Sequence, residues 1–415
     1  MGIASMMSGQ VFLSPLIDTG NYQSVDIEQV ATIAWQWLVS AAVIAWAGAL
    51  ITERRFLTAT RGEQRAEVSS LLLICIQRQR RQSWLWLSMI LSGTIILFWL
   101  RAAQEVPHIQ LDELPNWSAL AQFLFATSEG WLWLIRGGLI VLAIGSSGVH
   151  AFSASRHLGT NQASDPLVGH EHSFSSRHSR RSTRARSSRQ QRLLAEHRRM
   201  DGLHLVLAAL FLLTLANSSV TGASLYFTAL ALNWVTLLAL AAWLGGLLYL
   251  AFVFVPATHV IESGERAQIL IELLPTIKPS IIQVLVAGGL SAIFSMETHM
   301  GRMNTSLAAI SPAYNWAIIA NVGLLGMTFL LTCYQERHVL PHLAQASWLA
   351  THGAFIGTLG GVDVLRSLQV GPDERQVSAD RATQRFRCLL YAQVVLGVLI
   401  LLCLVLTAAL PPLAS

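Results

Sequence analysis

Long apolar runs alternate along this chain with polar loops, and almost every arginine falls in every second loop. That pattern leaves one broad solution. A helix needs about 20 mostly apolar residues to cross the hydrocarbon of a bilayer, and arginine marks the loops that stay on the cytoplasmic side. Runs of that kind lie near Val30–Thr52, Ser83–Leu100, Gly130–Val149, Leu203–Asn217, Leu230–Val255, Ser280–Phe294, Tyr314–Cys333 and Leu389–Leu410. The chain is therefore expected to be all-α, a polytopic membrane bundle of about eight helices. Composition agrees: 53% of residues are hydrophobic and only 12% charged, about half the charge of a soluble domain.

Loop charge predicts the orientation. The stretch before the first run carries Asp18, Asp26 and Glu28 and no Lys or Arg, so it is expected outside. The next loop holds Arg54, Arg55, Arg61, Arg65, Arg78, Arg80 and Arg81 and is expected inside. The acidic loop around Glu105, Asp112 and Glu113 returns outside, and Arg156–Arg199 lies inside, as do Arg337 and Arg366–Arg387. Eight spans with both termini outside satisfy every loop. No basic stretch precedes the first run, so that run is expected to act as its own uncleaved signal. The four cysteines, Cys75, Cys333, Cys388 and Cys403, fall in the first inner loop, near inner span ends or within the bilayer, so disulfides are not expected.

Three regions follow: residues 1–152 with three spans, a basic linker at 153–199, and residues 200–415 with five spans. Ser173–Gln191 is nearly all Ser, Arg, His and Gln. It lacks the apolar area needed to offset chain entropy and is expected to be disordered. Its arginines suit the anionic lipids of the inner leaflet, at about 1 kcal/mol per residue, and nucleic acid is not an expected partner. His157, His170, His172 and His178 in and around this linker are potential metal ligands, but no rigid element fixes their spacing. The Gly-rich stretch Ala344–Val370 reads as an interfacial helix rather than a ninth span.

Few ionisable groups fall inside the spans, where they usually mark function. Arg136 follows Trp131 and Trp133 in the third span; snorkelling to the outer headgroups is the plain reading, and holding an acidic partner or anionic group the sharper one. His204, at the start of the fourth span, reads as structural. Outside the sixth span, Met296, His299, Met300 and Met303 recur at i, i+3, i+4 and i+7, one face of a helix if the helix continues. Thioether and imidazole suit copper(I); the competing reading is a Met-lined packing face. No paired carboxylates and no nucleophile–base set appear in the spans, so an enzyme is not expected.

Several segments together resemble the copper resistance protein D family of bacterial inner-membrane proteins. The fifth span contains Trp243-Leu-Gly245-Gly246 and ends at Pro256, similar to that family's Trp-x-Gly-Gly helix. Gly288 and Gly289 match the glycine of its next helix, Tyr314 opens the seventh span in its manner, and Leu396-Gly397 with Pro411-Pro412 resembles its closing helix. Trp133-Leu-Ile-Arg136 is similar to its Trp-x-x-Arg segment. The likeness is best from about Met200 onward.

The resemblance implies eight helices in the plasma (inner) membrane, copper(I) uptake and copper homeostasis, and a periplasmic or extracellular copper-binding partner. Four family positions differ here. Thr236 stands for a His, Asn321 for a Lys and Gln393 for an acidic residue, while Ser218-Ser219-Val220 has no His. The expected passage follows helix seams near Arg136, Thr236, Trp243, Gly245, Gly246, Gly289, Asn321 and Gln393. The other reading keeps the fold without metal transport, as a membrane sensor, assembly factor or scaffold.

Overall fold

A computed structural model of the chain describes residues 27–59, 66–105, 117–162, 199–217, 226–260, 266, 269–271, 280, 282–290, 312–345 and 372–409. Among these residues there is no strand. In order, the helices are α1 (Ile27–Ala59), α2 (Ala66–Glu105), α3 (Trp117–Ala126), α4 (Ser128–Gln162), α5 (Arg199–Asn217), α6 (226–260), α7 (282–290), α8 (312–345) and α9 (Pro372–Ala409). All except α3 and α7 are long and apolar enough to cross a bilayer, which gives seven candidate spans among the described residues. The chain is an all-α, multi-pass membrane helix bundle. Of the span expected at Ser280–Phe294, only Ser280 and residues 282–290 are described.

The helices overrun the apolar stretches that predict them. Arg54 and Arg55 belong to α1, and Arg78, Arg80 and Arg81 to α2, not to a loop between them. Cys75, expected in that loop, is buried in α2. Hydropathy marks only the lipid-facing length, whereas arginine continues a helical ladder well. With 40 residues, α2 is about 60 Å long, roughly twice the hydrocarbon thickness. Its basic turns therefore stand outside the hydrocarbon while remaining helical. The acidic loop likewise contains α3, set off from α4 at Thr127. The Thr127 hydroxyl donates to the Phe123 carbonyl (2.7 Å) and accepts from the Gly130 N–H (2.9 Å), capping α4. The basic linker begins inside α4, which runs to Gln162.

The bundle is built around α6. In its span 83% of the most apolar window is buried, against 6% for α8. Trp243, Tyr249 and Phe254 are among the largest fully buried side chains. Lipid is as apolar as leucine, so burial alone does not drive helices together; close backbone packing does. Gly48 of α1 and Gly245 of α6 supply it. A Cβ on Gly48 would lie 1.9 Å from the Ala241 carbonyl oxygen, and one on Gly245 would lie 2.4 Å from that of Ile44. The main core draws on α1 to α9 except α3, which packs in a small separate cluster with Ala102, and it joins the regions on either side of the basic linker.

Two wide π turns share one cause. Leu250–Phe254 in α6 ends two residues before Pro256, and Gln335–Val339 in α8 ends two residues before Pro341. Proline has no N–H and crowds the carbonyl four residues back; membrane helices absorb this by local widening and by donors from neighbours. Gln82 of α2 is such a donor: its amide reaches the Phe252 carbonyl at 3.4 Å, the group that loses a partner at position 256. A third π turn, Ala241–Gly245, coincides with the close approach to α1.

Helix ends that should share one face of the membrane meet in space. Arg55 near the end of α1 donates to Ser280, ahead of α7, at 2.7 Å. Arg387 of α9 contacts His259 at the end of α6, and Ser146 and Ser147 of α4 contact His204 at the start of α5 at 2.9 and 3.1 Å. Neighbouring spans thus run antiparallel, as the alternation of arginine requires.

Candidate functional site

Four of the residues expected to line a passage gather where α6, α7, α8 and α9 meet. Trp243 packs at the wall of a narrow cleft whose other walls are Val284, Leu285, Leu325, Thr328 and Phe329. Asn321, Leu325, Thr328 and Thr332 recur at helical spacing along one face of α8. Gln393 of α9 reaches that face, its amide donating to the Thr332 hydroxyl at 3.2 Å. Gly397, one turn on, lets α9 close on α6: a Cβ there would lie 2.5 Å from Leu244 and 3.4 Å from the Trp243 ring. The Trp243 indole N–H and the Asn321 carbonyl oxygen are buried without a hydrogen-bond partner among the described residues. Unmet polar groups in an apolar wall are costly, and these two leave the seam one donor and one acceptor to offer.

Thr236 is buried in α6 and sits at the edge of the same seam. Its hydroxyl lies 2.8 Å from the Leu232 carbonyl of its own helix and 3.1 Å from the Ala287 carbonyl of α7. It ties two helices together. Gly245 and Gly246 face α1 instead of the cleft; a Cβ on Gly246 would lie 2.9 Å from the Thr52 hydroxyl. A Cβ on Gly289 would meet nothing within 4 Å among the described residues.

Arg136 does not snorkel. It is buried in α4, and its guanidinium donates to the hydroxyl of Thr214 (3.2 Å) and to its carbonyl (2.7 Å). It also lies 4.8 Å from the centre of the Trp133 ring. Thr214 is in the last turn of α5, where backbone carbonyls have no partner within the helix. A cation there also meets the negative end of the helix dipole. Arg136 therefore closes the end of α5 and stands apart from the α6–α9 cleft. His204 sits between Ser146 and Ser147, with its ring centre 6.0 Å from that of Trp46.

Sequence reading missed a buried polar group near the arginine-bearing ends of the helices. Glu53 (α1), Cys75 and Gln79 (α2), Asp201 (α5) and Tyr249 (α6) are each at least 95% buried. The Tyr249 hydroxyl faces the Cys75 thiol, within the electrostatic reach of Glu53 and Asp201. Glu53 reads as a loop residue because it follows the apolar run and precedes two arginines. The signal that finds it is helix length, since α1 continues to Ala59. Among the described residues no three His, Cys, Asp or Glu side chains come together as a metal site. Met296, His299, Met300 and Met303 lie outside the described residues, as do Ser218–Val220, most of the basic linker and residues 346–371.

Comparison of the chain with protein-family models, with curated proteins and with solved structures gave no match.

Proposed function

We propose that this chain is a plasma-membrane protein that carries copper(I) across the bilayer. The ion is taken from a periplasmic or extracellular copper-binding protein at Met296, His299, Met300 and Met303. It then passes inward beside Trp243. The observation that supports this reading most is that Trp243 walls the cleft while Thr236, Asn321 and Gln393 lie on the helices that meet beside it. These are the family's functional positions by resemblance, and they come from three helices far apart in sequence.

The chemistry is consistent with passage more than with storage. The seam carries hydroxyl and amide groups in place of the family's ionisable side chains, and such neutral oxygen donors hold a soft cation weakly. Thioether and imidazole at the outer face hold it better. Selection would then occur at capture, with the seam providing a route.

A second reading has its own observation. By resemblance, the family's His, Lys and acidic positions hold the neutral residues Thr236, Asn321 and Gln393 here, which favours a membrane sensor, assembly factor or scaffold that keeps the fold without the ion. Copper(I) binding separates the two. The purified, detergent-solubilised protein is titrated against a chromogenic copper(I) chelator, alongside a variant lacking Met296, His299, Met300 and Met303. Tight binding lost in the variant is the expected result. An absence of binding in both proteins would overturn the copper reading in favour of the second.

A further inference from the structure

Beside the end of α6, where α2 and α9 pass it, arginine side chains gather. Arg387 of α9 directs a terminal nitrogen at the His259 ring. Arg266, just beyond α6, donates to the Thr258 carbonyl at 3.1 Å and stands 3.6 Å from Asp380. Arg78 of α2 acts on the same histidine. Neither Arg387 nor Arg78 has a carboxylate within ion-pair distance among the described residues. The Nε of Arg387 is buried with no hydrogen-bond partner among the described residues, and Arg266 and Arg387 repel each other.

His259 does not relieve this charge. Burial and the neighbouring Arg387, Arg266 and Arg78 hold its pKa below the ordinary histidine value, against a smaller opposing effect of Asp380. Arg387 thus faces a neutral ring, with the Arg266 guanidinium close by and Arg78 within electrostatic reach of the same ring. Planar guanidinium forks match the oxygens of a phosphate group.

Toward the bilayer the corner becomes aromatic and lipid-facing. Tyr391 lies one helical turn from Arg387, and Phe252 two turns from His259. Both are largely exposed, at 44% and 49%, and their rings meet edge to face at 6.3 Å. A cationic corner above an exposed apolar wall matches a molecule with a phosphate head and hydrocarbon tails. A free phosphate would use only the first half.

We propose that Arg78, Arg266 and Arg387 form a headgroup site for an anionic phospholipid whose tails lie along Phe252 and Tyr391. This site is separate from the basic linker at 153–199 and independent of copper. Bound lipid neutralises the guanidiniums and fastens α2 and α9 to the end of α6.

The test uses delipidated full-length protein in neutral detergent. Thermal unfolding and native mass spectrometry are followed on adding phosphatidylglycerol, phosphatidylcholine or inorganic phosphate. Phosphatidylglycerol is expected to raise Tm by a few degrees and to remain bound in the gas phase. The variant R78Q/R387Q should lose most of that shift, whereas R78K/R387K should keep part of it. Arg266 is left in place because it also supports the chain at Thr258. Equal shifts with phosphatidylcholine would overturn the headgroup site, and equal shifts with inorganic phosphate would overturn the lipid in favour of a soluble anion. A shift unchanged in R78Q/R387Q would overturn the residues. The comparison of lipids on wild-type protein stands even where a variant fails to fold.

Discussion

A methyl group on Gly48 would overlap the Ala241 carbonyl, and one on Gly245 would overlap the backbone of Ile44. Helix axes brought this close gain dispersion along their whole contact, the main attraction available to them in lipid. G48A should therefore cost about 1–3 kcal/mol through overpacking. G137A, in α4, meets nothing within 4 Å and should be neutral or stabilising by up to about 1 kcal/mol. Thermal unfolding of the two variants in one detergent checks the contrast, and equal losses would contradict it. Gly245 was legible as a special residue from its resemblance, but its partner was not. Nothing in a single sequence pairs position 48 with position 245, because the contact depends on how two helices cross. Arg136 was legible as unusual, yet its acceptor is a carbonyl at the end of α5, which no side-chain motif announces.

At the scale of elements, the two π turns before Pro256 and Pro341 show helices accommodating a missing donor. Their positions follow from the prolines, which the sequence displays; the help from Gln82 does not. Q82L should cost about 1 kcal/mol by leaving the Phe252 carbonyl unmet. In a P256A background, where the substituted residue supplies its own backbone N–H, the same change should cost little. The double-mutant cycle measures the coupling, and additive effects would sever the link between Pro256 and Gln82. The end of α6 also has a pH dependence. His259 has a folded pKa below its ordinary value of 6.5. As pH falls, the unfolded chain takes up a proton that folded His259 resists. Its contribution is thus full above about pH 6.5 and declines as pH drops toward the lowered folded value. Tm measured from pH 8 down to pH 5.5 should fall less steeply for H259N than for wild type. The long apolar helices were legible; the short α3 was not, and neither was helix length, since charged turns such as Arg78–Arg81 continue the ladder beyond the apolar run.

For the whole molecule, arginine placement carries the topology, and the meeting of helix ends agrees with it. Single cysteines in a background without the four native ones provide a check. A cysteine at Ser182, in the basic linker, should react with an impermeant maleimide only after the membrane is opened. One at Gln110, in the acidic loop, should react from outside in intact cells. The reverse pattern would invert the bundle. The proposed copper route is the least legible part. Its ligand chemistry is written in Met296, His299, Met300 and Met303, whereas the seam they would feed is defined only once α6, α8 and α9 are packed.

The contact between Gly48 and Gly245 also sets a schedule for biosynthesis. These residues are 197 positions apart in the chain. At about 5–20 residues per second, α1 waits roughly 10–40 s for α6 to be made. Through that interval its glycine face has no partner but lipid, or whatever helper in the membrane shields nascent helices. The amino-terminal helices are in this sense a half-built wall, and the keystone is the fifth span to arrive.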